Sequence, residues 1–90
     1  MELYWRETKR GMNLVVLTDD GDEFVVGGVR GTKRGIEAIA NTTGYDPGRA
    51  IKGLSSVEKG REFVEHLEPW RDFFPQPLEL DGVVRPLAQE

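Results

Sequence analysis

The sequence predicts an α+β domain: a three-stranded antiparallel β-meander followed by two or three helices packed on one face, with a short C-terminal β segment. Three observations predict it. Asp20-Gly21 separates two apolar runs, residues 14–17 and 24–26, and Asp-Gly favours a two-residue hairpin turn because both positions need positive φ. Ile36, Ile39 and Ala40 recur at i, i+3, i+4, the spacing of one helical face. Thr32, Asp46 and Ser55 each stand where a helix N-cap would open a new segment.

In chain order, residues 3–8 read as a first strand, with Leu3 and Trp5 on one face and Tyr4 and Arg6 on the other. Lys9-Arg10-Gly11 turns into the hairpin, and the first strand is expected at an edge, where charge discourages further pairing. A turn at Asp20-Gly21 sets Leu17 opposite Phe24, Val16 opposite Val25, Val15 opposite Val26 and Leu14 opposite Gly27. Both faces of that pair are apolar, so each needs cover, from this chain or from a second copy.

Residues 1–29 therefore form the meander, 32–74 the helical part and 75–90 an extended tail of a single domain, 1–90. Thr32 caps a first helix that Gly44 ends. Asp46-Pro47 starts a short second one, ending near Gly53. Ser55 and Glu58 form a capping box for a third, with Val57, Phe63, Val64 and Leu67 on its buried side. Pro69 breaks that helix or opens a last turn carrying Trp70, Phe73 and Phe74. Residues 78–84 form a small hairpin on Asp81-Gly82 or one final strand, and the tail frays from Pro86. Residues 39–45 have the Ala-x3-Gly spacing that resembles a helix-turn-helix. Residues 54–63, with Glu58-Lys59-Gly60-Arg61, resemble the entry to the last helix of some winged-helix proteins, but Thr43 and Gly53 stand where apolar residues are expected, and the strands precede the helices instead of following them. No family assignment follows.

Composition narrows the function classes. The chain has no cysteine, so it can make neither disulfides nor thiolate metal sites. Its N-terminal residues lack the apolar run of a signal peptide, and no stretch approaches the ~20 apolar residues of a membrane helix. A cytoplasmic protein without a membrane role is expected. The net charge of −4 opposes bulk attraction to nucleic acid, but the charge is unevenly spread. Residues 1–29 hold three Lys/Arg and six Asp/Glu, a net −3; residues 30–61 hold seven and three, a net +4; residues 62–90 hold two and seven, a net −5. The middle third is basic between acidic flanks.

The sharpest site candidate lies in residues 27–35, a glycine-rich link between a strand and an expected helix start. Glycines let backbone N–H groups approach a ligand, and a helix N-terminus attracts anions. Arg30, Gly31, Thr32, Lys33 and Arg34 are the candidate ligand-binding residues there, joined by Arg49 and Lys52, which are spaced to share one face of the expected second helix. Neither Gly-x4-Gly-Lys-Ser/Thr nor Gly-x-Gly-x-x-Gly occurs in this loop, so it is not a nucleotide-binding loop of either kind.

Tyr4, Trp5, Arg6, Lys9 and Arg10 could form a stacking and charge surface for single strands, with core burial of Trp5 as the plainer reading. Glu62 and His66, at i, i+4, lack a third metal ligand at motif spacing. There is no Gly-x-Ser-x-Gly elbow, and the single histidine has no serine partner at catalytic spacing. No catalytic residues, cofactor or metal are expected. The expected function is a small non-catalytic module that contacts nucleic-acid phosphate or another anion. The alternative is a self-associating or protein-docking protein, and the apolar faces and the aromatics near residue 73 favour a homodimer.

Overall fold

A computed structural model describes residues 1–44 and 46–87 of the chain. Five strands, β1 (Glu2–Glu7), β2 (Gly11–Leu17), β3 (Glu23–Thr32), β4 (Gly35–Ala40) and β5 (Ala50–Leu54), precede one helix, α1 (Val57–Leu67). The strands form a single sheet in the order β1-β2-β3-β4-β5, each antiparallel to the next. Sequence-adjacent strands are thus always neighbours, the simplest way to pair with short connections. Helix α1 lies across β3, β4 and β5.

The first hairpins are where the sequence puts them, with a shifted tip. Residues 18–22 form the β2–β3 loop, closed by Thr18 N–H to the Asp22 carbonyl (2.8 Å) and Gly21 N–H to the Thr18 carbonyl (3.0 Å). Gly21 has φ +88°, but Asp20 is not in the left-handed region. Leu17 consequently pairs with Glu23, Val16 with Phe24 and Val15 with Val25. A bulge at Val26 then restores the expected pairing, Leu14 with Gly27. One extra residue changes which side chains face the core, and Val26 is buried there.

The helical half is the main correction. The described residues form five strands and one 11-residue α-helix, not three strands and two or three helices. Residues 32–35 make a hairpin turn, Thr32 pairing with Gly35 around Lys33 and Arg34. The Thr32 hydroxyl donates to the Gly35 carbonyl (2.8 Å) and accepts from the Arg34 N–H (3.2 Å). Thr32 caps a turn, not a helix, and Gly35 at φ +115° completes it. The pattern that looked helical has a second solution. Ile36, Ala38 and Ala40 alternate toward the core and Ile39 faces out, 51% exposed. Six residues are too few for periodicity alone to separate the two, and pairing with β3 decides for strand.

Asp46 does cap, accepting from the Gly48 N–H at 2.9 Å, but the turn it opens is a 3-10 turn of three residues, Pro47–Arg49. The chain then pairs with β4 as β5, and Gly53 at φ +73° bends it toward α1. The helix-turn-helix spacing therefore falls on β4 and a loop; Tyr45, which ends it, lies outside the described residues. Ser56, one residue later than expected, caps α1 by accepting from the Lys59 N–H at 3.2 Å. Glu68, at φ 48°, ends the helix, and Pro69 opens a 3-10 turn, Pro69–Asp72.

The core fills one face of the sheet. Leu3, Trp5, Leu14, Val16, Val26, Val29, Ala38 and Ala40 meet Val64 of α1 and Trp70 of the last turn. Each large apolar side chain buried in this way contributes about 1.5–3 kcal/mol. Two glycines allow the close approach of helix to sheet. A Cβ on Gly27 would lie 2.7 Å from Val64 Cγ1, and one on Gly60 would lie 2.6 Å from Val29 Cγ1. The C-terminal segment is neither hairpin nor sixth full strand. It runs parallel to β1 through two isolated bridges, Leu3 to Leu80 and Arg6 to Arg85. Of the tail expected to fray from Pro86, residues 88–90 lie outside the described residues.

A candidate anion-binding groove

The face of the sheet opposite α1 carries the chain's convergent cations. Side chains alternate across a strand, so Asn13, Arg30, Glu37, Ile39 and Lys52 share this face. The β1–β2 turn brings Thr8, Lys9 and Arg10 to its margin. Gly31 N–H donates to the Arg10 carbonyl at 2.8 Å, which fixes that turn against β3. Together these residues line an open groove of about 620 Å³. A Cβ on Gly28 would come within 3.2 Å of Asn13 Oδ1, so its absence keeps the floor low.

The lining holds four cations, Lys9, Arg10, Arg30 and Lys52, and one acid, Glu37. Arg30 Nε lies 3.1 Å from Glu37 Oε2, yet the arginine side chain is 67% exposed. An exposed pair of this kind contributes about 0–1 kcal/mol, so it can open to a stronger anion at small cost. Beside it, Arg34 and Lys52 meet Thr32, Glu37 and Gly53 around a smaller depression of about 320 Å³.

The structure sorts the expected site residues into three groups. Arg30 and Lys52 reach the groove, and Thr32 and Arg34 reach its smaller neighbour. Lys33 is exposed at the tip of the β3–β4 turn and lines neither. Gly31 and Arg49 serve the fold instead. Arg49 donates to the carbonyls of Ala40 (3.3 Å) and Asn41 (2.7 Å) and pairs with Asp72 at 3.1 Å. With only 14% of its side chain exposed, it ties the end of β4 to the last turn. The helix-dipole argument for an anion at Thr32 falls away, because no helix begins there.

Lys9, Arg10 and Asn13 were missed as partners of Arg30. Nothing in their spacing points to it, because it is the meander that brings a turn at residue 9 and a strand at residue 52 to the same groove. The expected stacking surface is dispersed. Trp5 is fully buried in the core, where the Arg61 guanidinium lies 5.7 Å from its ring. Tyr4 is buried on the other face beneath Arg85, whose guanidinium is 3.6 Å from the ring centre. Its hydroxyl donates to Glu23 (3.0 Å) and accepts from Arg6 (2.9 Å), and Arg6 also pairs with Glu23. Burial, then the hydrogen bond to Glu23, push the Tyr4 phenol above its ordinary value.

Among the described residues, no three His, Asp or Glu side chains gather as a metal site would require, and no helix is long and apolar enough to cross a membrane. Comparison with known proteins gives no match to a family model, a curated protein or a solved structure.

Proposed function

We propose that this protein is a non-catalytic binding module that takes a phosphate-bearing ligand, in the simplest case a nucleic-acid strand, in the groove opposite α1. One observation carries this reading: four cations from three separate parts of the chain line one groove with a single acid, in a chain of net charge −4. A random surface of an acidic protein would place more acids than bases there. Low-lying glycine and apolar floor residues, Gly28, Ile39 and Ala50, leave room for a ligand body between the cationic margins.

Titration of labelled single-stranded and duplex oligonucleotides at low salt tests it. Binding should be indifferent to sequence, because phosphate contacts position a ligand without reading bases. Each phosphate neutralised on a single strand contributes a slope of about −0.7 in log K against log salt, so Arg30→Ala with Lys52→Ala should flatten the slope by about 1.4. Absence of binding to any oligonucleotide or nucleotide at low salt would end this reading.

A protein-docking role is the second reading. Val25, Ile39 and Phe73, exposed by 48%, 51% and 41%, border an adjoining depression of about 830 Å³. Binding there would strengthen or persist at high salt, since apolar association is not screened. Sedimentation across protein concentration reads the self-associating form of it directly.

A further inference from the structure

The two edges of the sheet are treated differently. Along β1 the chain supplies its own cover: Asp81 N–H donates to the Leu3 carbonyl, Arg85 N–H to the Trp5 carbonyl, and Glu7 N–H to the Arg85 carbonyl, at 2.8 to 2.9 Å. Along β5, among the described residues, neither a strand nor a backbone hydrogen bond occupies the far edge. Beside that edge runs α1, and between them lies an open cleft of about 550 Å³. Ile51 and Leu54 form its strand side, and Phe63 and Leu67 the apolar part of its helix side, which Lys59, Glu62 and His66 border.

An open edge beside a helix, with an apolar cleft between them, is the geometry that accepts an extended segment as an added strand. Main-chain hydrogen bonds hold such a segment, and its alternate side chains enter the cleft. The opposite set would fall on the groove face, next to Lys52. We infer that β5 binds an extended acidic peptide segment of a partner protein, with apolar side chains toward α1 and carboxylates toward Lys52.

Charge decides between this occupant and a second copy of the chain. Lys52 is the middle residue of β5. Two copies paired about a two-fold axis through that strand would set Lys52 against itself, and like charges directly opposite are destabilising. An acidic strand turns the same lysine into a favourable cross-strand partner. This site shares Lys52 with the groove, but the open β5 edge and the cleft residues Leu54, Phe63 and Leu67 belong to it alone.

The test uses the whole chain and short peptides that alternate Glu and Val. The Glu/Val peptide should bind and slow hydrogen exchange of amides in residues 50–54. A Lys/Val peptide should bind about fivefold more weakly for each cross-strand charge pair reversed. Methylating alternate peptide nitrogens on the edge-facing side should weaken binding about tenfold, because it removes ladder donors without changing charge. Lys52→Glu should reverse the preference between the peptides. Equal binding by the methylated peptide would overturn the proposal. So would peptide-induced shifts confined to Lys9, Arg10 and Arg30, or absence of binding by the Glu/Val peptide. Protection of β5 that rises with protein concentration alone would make a second copy the occupant and overturn it too.

Discussion

Tyr4 and Arg49 show how a polar residue becomes part of a fold. Tyr4 is fully buried on the face opposite the core because Arg85, Arg6 and Glu23 close over it. Its phenol is held above the ordinary value of 10.0. The native state therefore keeps a proton that the unfolded chain has already released, so the contribution is intact below the unfolded value and is lost as pH rises from about 10. The urea midpoint should fall through that range, and Tyr4→Phe should fall less steeply while losing about 1 kcal/mol at neutral pH. Arg49→Met should cost about 2–3 kcal/mol, since two carbonyls and Asp72 lose a charged donor. Urea denaturation measures that cost. Oligonucleotide affinity per folded molecule should be unchanged, which separates a strut from a ligand residue.

At the scale of elements, the informative segment is the turn that was expected to open a helix. Gly35 sits at φ +115°, and a Cβ there would lie 3.3 Å from Gly53 Cα and from the Leu54 carbonyl oxygen. Gly44, the expected helix terminator, is not among the positive-φ glycines and has open space around it. Gly35→Ala should therefore destabilise by about 1–2 kcal/mol, and Gly44→Ala by much less. A helix from residue 32 to 43 would demand the opposite order, so paired thermal melts of the two variants discriminate. For α1, Ser56→Ala removes the acceptor for the Lys59 N–H and should cost about 1 kcal/mol, with Ser55→Ala near neutral.

The molecule as a whole is closed by its ends. Arg85 pairs with Glu2 at 2.8 Å, 83 positions apart in sequence, and Leu78, Leu80 and Val84 pack against the core margin. The segment occupies the β1 edge and supplies the arginine over Tyr4. Deleting residues 78–90 should remove three main-chain hydrogen bonds, worth about 1 kcal/mol each, together with the apolar cover. A loss of about 3 kcal/mol or more, read as a lower urea midpoint, is the expected outcome. Association through the bared β1 edge should follow.

The first half of this fold was legible locally, whereas the expected helical half was not. The β1–β2–β3 meander, the glycine of the Thr18–Asp22 loop, the Asp46 cap, helix α1 and the break at Pro69 all rest on short-range rules: turn chemistry, capping and side-chain alternation. Composition put the positive charge in residues 30–61, but only Arg30 and Lys52 of that stretch line the groove, and Lys9 and Arg10 join them from outside it. What sequence could not decide was whether residues 35–40 and 50–54 pair or coil. Ile36, Glu37, Ala38, Ile39 and Ala40 satisfy a helical spacing and a strand alternation equally. The choice depends on whether a neighbouring strand edge is open to receive them, and that is a property of β3 in three dimensions. The bulge at Val26 is likewise invisible locally, yet it sets which residues of β3 face α1. The same long-range pairing made the groove. Lys9 and Arg10 join Arg30 and Lys52 only because a meander stacks distant residues side by side, whereas Arg49, equally basic on paper, is drawn into the fold by two carbonyls and an aspartate.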